Sequence, residues 1–236
     1  MSIETAQKNV IAGPLPITLL LLTFTTGLVD AVSFLGLGHV FTANMTGNVV
    51  FIGFALAGST DVDAMRSLVA IAAFMVGAGF GGNLAARMKM GFTHRRWLTI
   101  AAIFEACLIL VAAVSAIGAP LDHEPSTPVL FVVIVTTAMA MGFRNATALR
   151  LADPDLKTTV LTLTITGIAA DARWAGGQNP RLGRRLASVF ALFAGAALGA
   201  VLLRSMGIAA ALVTMAVVVI GATALYVTHP SALRNA

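Results

Sequence analysis

The chain has 236 residues, of which 58% are hydrophobic and 11% charged, and its mean hydropathy is +0.92. An ordinary soluble domain is about 45–50% apolar and about 25% charged, so this composition excludes a soluble globular domain. The net charge of +5 fits a membrane protein whose Lys and Arg gather in cytoplasmic loops, and it requires no nucleic-acid partner.

Apolar stretches in the first half predict three full membrane spans and one shorter segment. The spans are 16–37, 67–86 and 98–118, close to the roughly 20 residues that cross a bilayer. The shorter segment, 41–59, is polar in its first half. Asp30 lies inside the first span, where an ionisable residue is costly, so it is the leading candidate for a functional residue.

The second half repeats this order. Spans are predicted at 129–148, 186–203 and 207–227, and a short uncharged segment, 158–170, follows the first of them. Asn145 lies 115 residues after Asp30, and Thr162 lies 116 residues after Thr46. We therefore expect a single membrane domain, 1–236, built from an internal repeat whose halves are 14–118 and 128–228.

Stripes of small residues support the same repeat. Gly77 and Gly81 lie four residues apart in one span, and Gly195 and Gly199 follow 118 residues later. Because small residues at this spacing let helix backbones approach closely, these glycines are predicted to pack helices. They would serve equally well within one chain or in a homo-oligomer.

The distribution of Lys and Arg favours six crossings. If neither short segment crosses, 12 Lys and Arg lie on the side of the termini and 2 on the other, whereas the division is 7 and 7 if both cross. We expect an all-α integral membrane protein with six transmembrane helices and two short broken or re-entrant helices, arranged as a 3+3 inverted repeat with both termini cytoplasmic. Letting only 41–59 cross gives 11 against 3, so seven transmembrane helices is the alternative. Inverted repeats with broken helices are common in secondary transporters.

Four short motifs resemble the YoaK-like family of bacterial multi-pass membrane proteins, a family of unknown function. They are residues 27–31, 44–48, 142–146 and 158–162, where this chain has Leu163 in place of the glycine that follows in the family pattern. The resemblance implies a location in the bacterial inner membrane, and it implies no substrate.

Polar residues in apolar surroundings form the predicted substrate or ion path. Asp30 would bind a cation or a proton, and its alternative role is a structural ion pair with Arg144. Glu105 would be a second proton site or a carboxylate that reaches the cytoplasmic face. The full predicted path comprises Asp30, Asn44, Thr46, Asn48, Glu105, Arg144, Asn145, Thr162 and Thr164.

The sequence contains no catalytic motif and no metal-ligand spacing among its four histidines, so we expect no enzyme activity, no cofactor and no metal. The leading hypothesis is a small-solute transporter or permease, with proton coupling through Asp30. Its partners would be the lipid bilayer and a small molecule or ion. The alternative is a non-transporting scaffold or regulatory protein, in which Asp30 and Arg144 form a structural ion pair.

Overall fold

The computed structural model describes residues 14–88, 94–120, 124–151, 161–178 and 182–229. Both chain termini and residues 158–160 of the fourth motif lie outside the described residues. The described part contains helices and turns and no strand: α1 (Pro14–Gly36), α2 (Met45–Leu56), α3 (Ala64–Met88), α4 (His94–Ser115), α5 (Thr127–Leu151), α6 (Leu161–Ala170), a 3₁₀ turn (Arg173–Ala175) and α7 (Leu182–Thr228). The predicted class, an all-α membrane protein, is confirmed.

Five of these helices are long and apolar enough to cross a membrane, namely α1, α3, α4, α5 and α7. Their outward faces expose large apolar side chains such as Phe80, Phe190 and Phe193, each more than 60% exposed. Such a surface suits lipid, whereas a water-soluble protein rarely leaves apolar patches this large uncovered. The helices α2 and α6 have 12 and 10 residues, about 18 and 15 Å, against a hydrocarbon core of about 30 Å.

The helix α7 is divided by a break at Gly207. Its 47 residues would be about 70 Å long if straight, more than twice the hydrocarbon core. Gly207 has φ 83° and ψ 179°, a non-helical conformation that glycine adopts without steric cost. The sequence predicts two spans separated by residues 204–206, whereas in the structure the first helix continues as far as this one glycine.

The chain reverses direction at Gly207, as the contacts of α1 show. Along α1, Phe24 and Leu28 lie against Gly195 and Gly199, so α1 and residues 182–206 run in the same direction. The Thr18 hydroxyl donates to the Ala222 carbonyl oxygen (3.3 Å), and Ile208 lies beside Gly36 at the other end of α1. Residues 208–228 therefore run antiparallel to α1.

Glycines bring two helix pairs into backbone contact. A Cβ atom built on Gly27 would overlap the Leu192 carbonyl oxygen, and one built on Gly195 would overlap the Phe24 carbonyl oxygen. The pair α3 and α5 is joined in the same way. There, Gly142 faces the Phe74 carbonyl, Gly77 faces the Met139 carbonyl and Gly81 faces the Phe143 carbonyl. These contacts also make α3 and α5 parallel.

Arg66, near the start of α3, joins three segments at one end of the bundle. Its guanidinium donates to the Leu37 carbonyl oxygen (3.1 Å), just beyond the end of α1, and to Glu124 (2.9 Å), just before α5. It also pairs with Asp63 (3.2 Å). The end of α1 and the beginnings of α3 and α5 therefore lie together.

Candidate functional site

The chain folds back alongside α1 immediately after this helix ends. Gly38 has φ 76° and His39 has φ 57°, so two successive residues in the left-handed region turn the chain. The Ala43 N–H then donates to Asp30 Oδ1 (2.9 Å), thirteen residues earlier and nearly two turns inside α1. The helix α2 consequently begins inside the bundle, beside Asp30, rather than at its end.

Asn48 fixes the segment before α2. Its side chain is fully buried, and its Oδ1 accepts from the Phe41 N–H (2.9 Å) while its Nδ2 donates to the Phe41 carbonyl oxygen (2.6 Å). Asn48 thus replaces the hydrogen bonds that a regular secondary structure would give Phe41.

A cavity of about 820 Å³ lies between the N-terminal ends of α2 and α6, among α1, α3, α5 and α7. Its polar side chains come from both halves of the chain: Asp30, Asn44, Thr46, Asn145, Thr162 and Thr26. Aromatic rings form much of the remaining wall, namely Phe41, Phe51 and Phe74. The volume is that of a pocket for a drug-sized molecule.

The predicted path residues fall into two groups. Asp30, Asn44, Thr46, Asn145 and Thr162 line the cavity together. The other four predicted residues do not line it: Asn48, Glu105, Arg144 and Thr164.

Arg144 pairs with Glu105, so the predicted pairing of Asp30 with Arg144 is wrong. The two charged groups form a hydrogen-bonded ion pair, and their side chains are 4% and 5% exposed. Arg144 also donates to the Leu22 carbonyl oxygen (3.1 Å) and the Thr25 hydroxyl (2.8 Å) on α1. The Asp30 carboxylate instead accepts hydrogen bonds from the backbone N–H groups of residues 42–44. The scaffold hypothesis therefore loses the ion pair on which it depended.

Thr26 and the three lining phenylalanines are not among the residues predicted from the sequence. Thr26 stands four residues before Asp30, on the same face of α1, and this spacing pointed to it. The phenylalanines carried no comparable signal, because apolar residues in a membrane span are expected on every face.

Comparisons with known proteins agree with the membrane architecture. Residues 18–225 match the family model described as protein of unknown function (DUF1275). The chain is 33% identical over 151 residues to the UPF0700 transmembrane protein YoaK of Bacillus subtilis (strain 168). That match covers 64% of this chain and 64% of the relative, so the chain spans a little under two thirds of the relative's length. No solved structure matches the chain. The chain belongs to the DUF1275 family of membrane proteins of unknown function.

Proposed function

We propose that the protein is a small-solute transporter or permease of the bacterial inner (plasma) membrane, and that the cavity between α2 and α6 is its solute path. The observation that carries the proposal is the position of this cavity, among membrane-spanning helices and at the N-terminal ends of two helices too short to cross. Inside a membrane, irregular backbone and clustered polar groups are stable where they are buried in protein or line a water-filled cavity.

Six crossings are part of this proposal, and the helix directions favour them over seven. If only one of α2 and α6 crossed, α1 and residues 182–206 would run in opposite directions, yet their contacts make them parallel. If α2 crossed, the start of α3 would lie far from the end of α1, yet Arg66 donates to the Leu37 carbonyl. Both short helices would then be re-entrant, and the helices on either side of Gly207 would each cross once.

The matched glycine contacts support an inverted repeat. Gly27 of the first half contacts Leu192 of the second half, and Gly142 of the second half contacts Phe74 of the first half. The two glycines lie 115 residues apart in the sequence, and their two partners lie 118 residues apart. The same offsets relate the contact of Gly77 with Met139 to that of Gly195 with Phe24. A two-fold relation between halves that enter the membrane from opposite sides would produce such exchanged pairs, and transporters with this architecture bind solutes at the repeat interface.

The distribution of positive charges favours one orientation of the bundle. Arg96, Arg173, Arg184 and Arg185 belong to the end where α1 begins, whereas Arg66 and Arg204 belong to the other end. The first end would therefore face the cytoplasm, together with both chain termini.

Asp30 is the residue we assign to proton coupling. It is the one ionisable side chain among the described residues that line the cavity, and the buried charges of Glu105 and Arg144 compensate each other. Coupling requires the carboxylate to exchange a proton for the solute, or to change its partner, between inward- and outward-open states. Asp30→Asn should then abolish uptake driven by a pH gradient while the protein still inserts; unchanged gradient dependence would overturn the coupling.

Solute flux across proteoliposomes tests the proposed function. Liposomes with the purified protein are exposed to osmotic gradients of a panel of small neutral and cationic solutes, and their reswelling is followed by light scattering. We expect at least one solute to enter faster than in protein-free liposomes. Thr162→Trp should block this entry by filling the cavity, whereas Leu163→Trp, on an exposed surface of α6 outside the cavity, should not. Equal flux through both variants would contradict the proposed path.

A further inference from the structure

The charge of the cavity wall is set by one residue. Among the described residues that line the cavity, Asp30 is ionisable and the rest are neutral. Arg144, which directly precedes the lining residue Asn145, donates to Glu105 and to acceptors on α1, so its positive charge is compensated within the bundle. Asp30 is therefore the one group in the described wall that can carry a charge, and that charge is negative.

The N-terminal end of α2 reduces this negative charge without cancelling it. The Ala43 N–H, just before α2, donates to Asp30 (2.9 Å), and the Asn44 side chain makes no capping hydrogen bond to the first N–H groups of this helix. A helix N-terminus is equivalent to about half a positive charge, against the full charge of a carboxylate. A carboxylate also has about four acceptor positions, so it keeps capacity for a solute donor besides its backbone donors.

Three aromatic residues lie in the wall of the same cavity. Phe41 and Phe51 are stacked, with centroids 5.6 Å apart and planes 15° apart, and Phe74 contributes a third ring from α3. Aromatic faces attract cations by their quadrupole, most strongly where water is excluded, and such rings recognise quaternary ammonium groups in other proteins.

We infer that the solute is an organic cation, an amine or a quaternary ammonium joined to an apolar or aromatic body. This inference rests on the proposed function and names its substrate class. The cationic group would lie near Asp30, the apolar body against Phe41 and Phe51, and the amides and hydroxyls of the opposite wall would solvate the remaining polar atoms.

Binding to the protein in lipid nanodiscs tests the inference without requiring transport. The probe is benzyltrimethylammonium, compared with benzyl alcohol and benzoate, which share the ring but are neutral and anionic. Isothermal titration should show that the ammonium binds more tightly than either analogue. Asp30→Asn should weaken its binding at least about tenfold, and Phe51→Leu about threefold. Phe193→Leu, on an exposed face of α7, should change nothing.

Each outcome decides a different claim. Equal binding of benzoate, no binding of the ammonium, or no effect of Asp30→Asn together with no effect of Phe51→Leu would overturn the organic-cation class. Flux of another solute through a protein that does not bind the ammonium would overturn this class alone. Binding of the ammonium without flux of any solute would support the class and overturn the transporter proposal.

Discussion

Arg144 on α5 and Glu105 on α4 form an ion pair in the interior of the helix bundle, and Arg144 also donates to the backbone and a hydroxyl of α1. One side chain therefore ties three helices together. Arg144 directly precedes Asn145, which lines the cavity, and it also contacts the hydroxyl of Thr26, another lining residue (3.4 Å). The ion pair thus holds in place two residues of the cavity wall, Thr26 and Asn145, without lining the cavity itself.

Glu105→Gln should destabilise the protein by about 3–5 kcal/mol, because it leaves the buried guanidinium without a counter-charge. Arg144→Gln should destabilise the protein by a similar amount, because it leaves the buried Glu105 carboxylate without a counter-charge. The double variant should cost less than the sum, since no unpaired charge remains. Thermal unfolding of the purified proteins in detergent measures all three, and strictly additive losses would contradict the pairing.

Gly77→Ala should lower stability by about 1–3 kcal/mol, because the added Cβ would overlap the Met139 carbonyl oxygen of α5. Gly79→Ala is a matched control in the same helix, since nothing lies within 4 Å of its Cβ position. The control should be neutral or slightly stabilising, because alanine favours a helix over glycine by about 1 kcal/mol. Equal melting temperatures for the two variants would contradict the close contact of α3 and α5.

Asn48→Ala should destabilise the protein by about 1–3 kcal/mol, because the buried N–H and carbonyl of Phe41 lose their partners. Asn44→Ala, whose side chain makes no capping hydrogen bond, should change the melting temperature much less. A larger effect at Asn44 would mean that the turn before α2 is held in another way.

Side-specific labelling tests the number of crossings. Single cysteines at His39, Ser59 and Ala175, in a Cys107→Ala background, are exposed in intact cells to a membrane-impermeant thiol reagent. We expect labelling at 39 and 59, which flank α2, and protection at 175 until the membrane is opened. Opposite results at 39 and 59 would mean that α2 crosses. Labelling at 175 together with 39 and 59 would mean that α6 crosses.

The sequence predicted the helices well because the thickness of the membrane sets the length of the apolar stretch that each spanning helix needs. It also pointed to Asp30 and Asn145, which line the cavity, since a polar residue inside a span is conspicuous. It could not identify the partner of Arg144, because two acids, Asp30 and Glu105, were available and packing alone decides between them. Asn48 illustrates the same limit, since its bonds to Phe41 depend on a turn created by the backbone of Gly38 and His39.

In our proposal, the cavity between α2 and α6 is a water-accessible path through the bundle. The decisive measurement is the rate at which a cationic methanethiosulfonate, 2-(trimethylammonium)ethyl methanethiosulfonate, modifies cysteines placed on the cavity wall. In a Cys107→Ala background, Thr46→Cys and Thr162→Cys line the cavity, while Val49→Cys and Leu163→Cys lie on exposed faces of the same two helices, outside it. Because the thiolate is the reactive form and an apolar environment suppresses it, we expect fast modification at 46 and 162 and slow modification at 49 and 163. Slow modification at both cavity positions, or no difference between the pairs, would show that the cavity is not a water-accessible path.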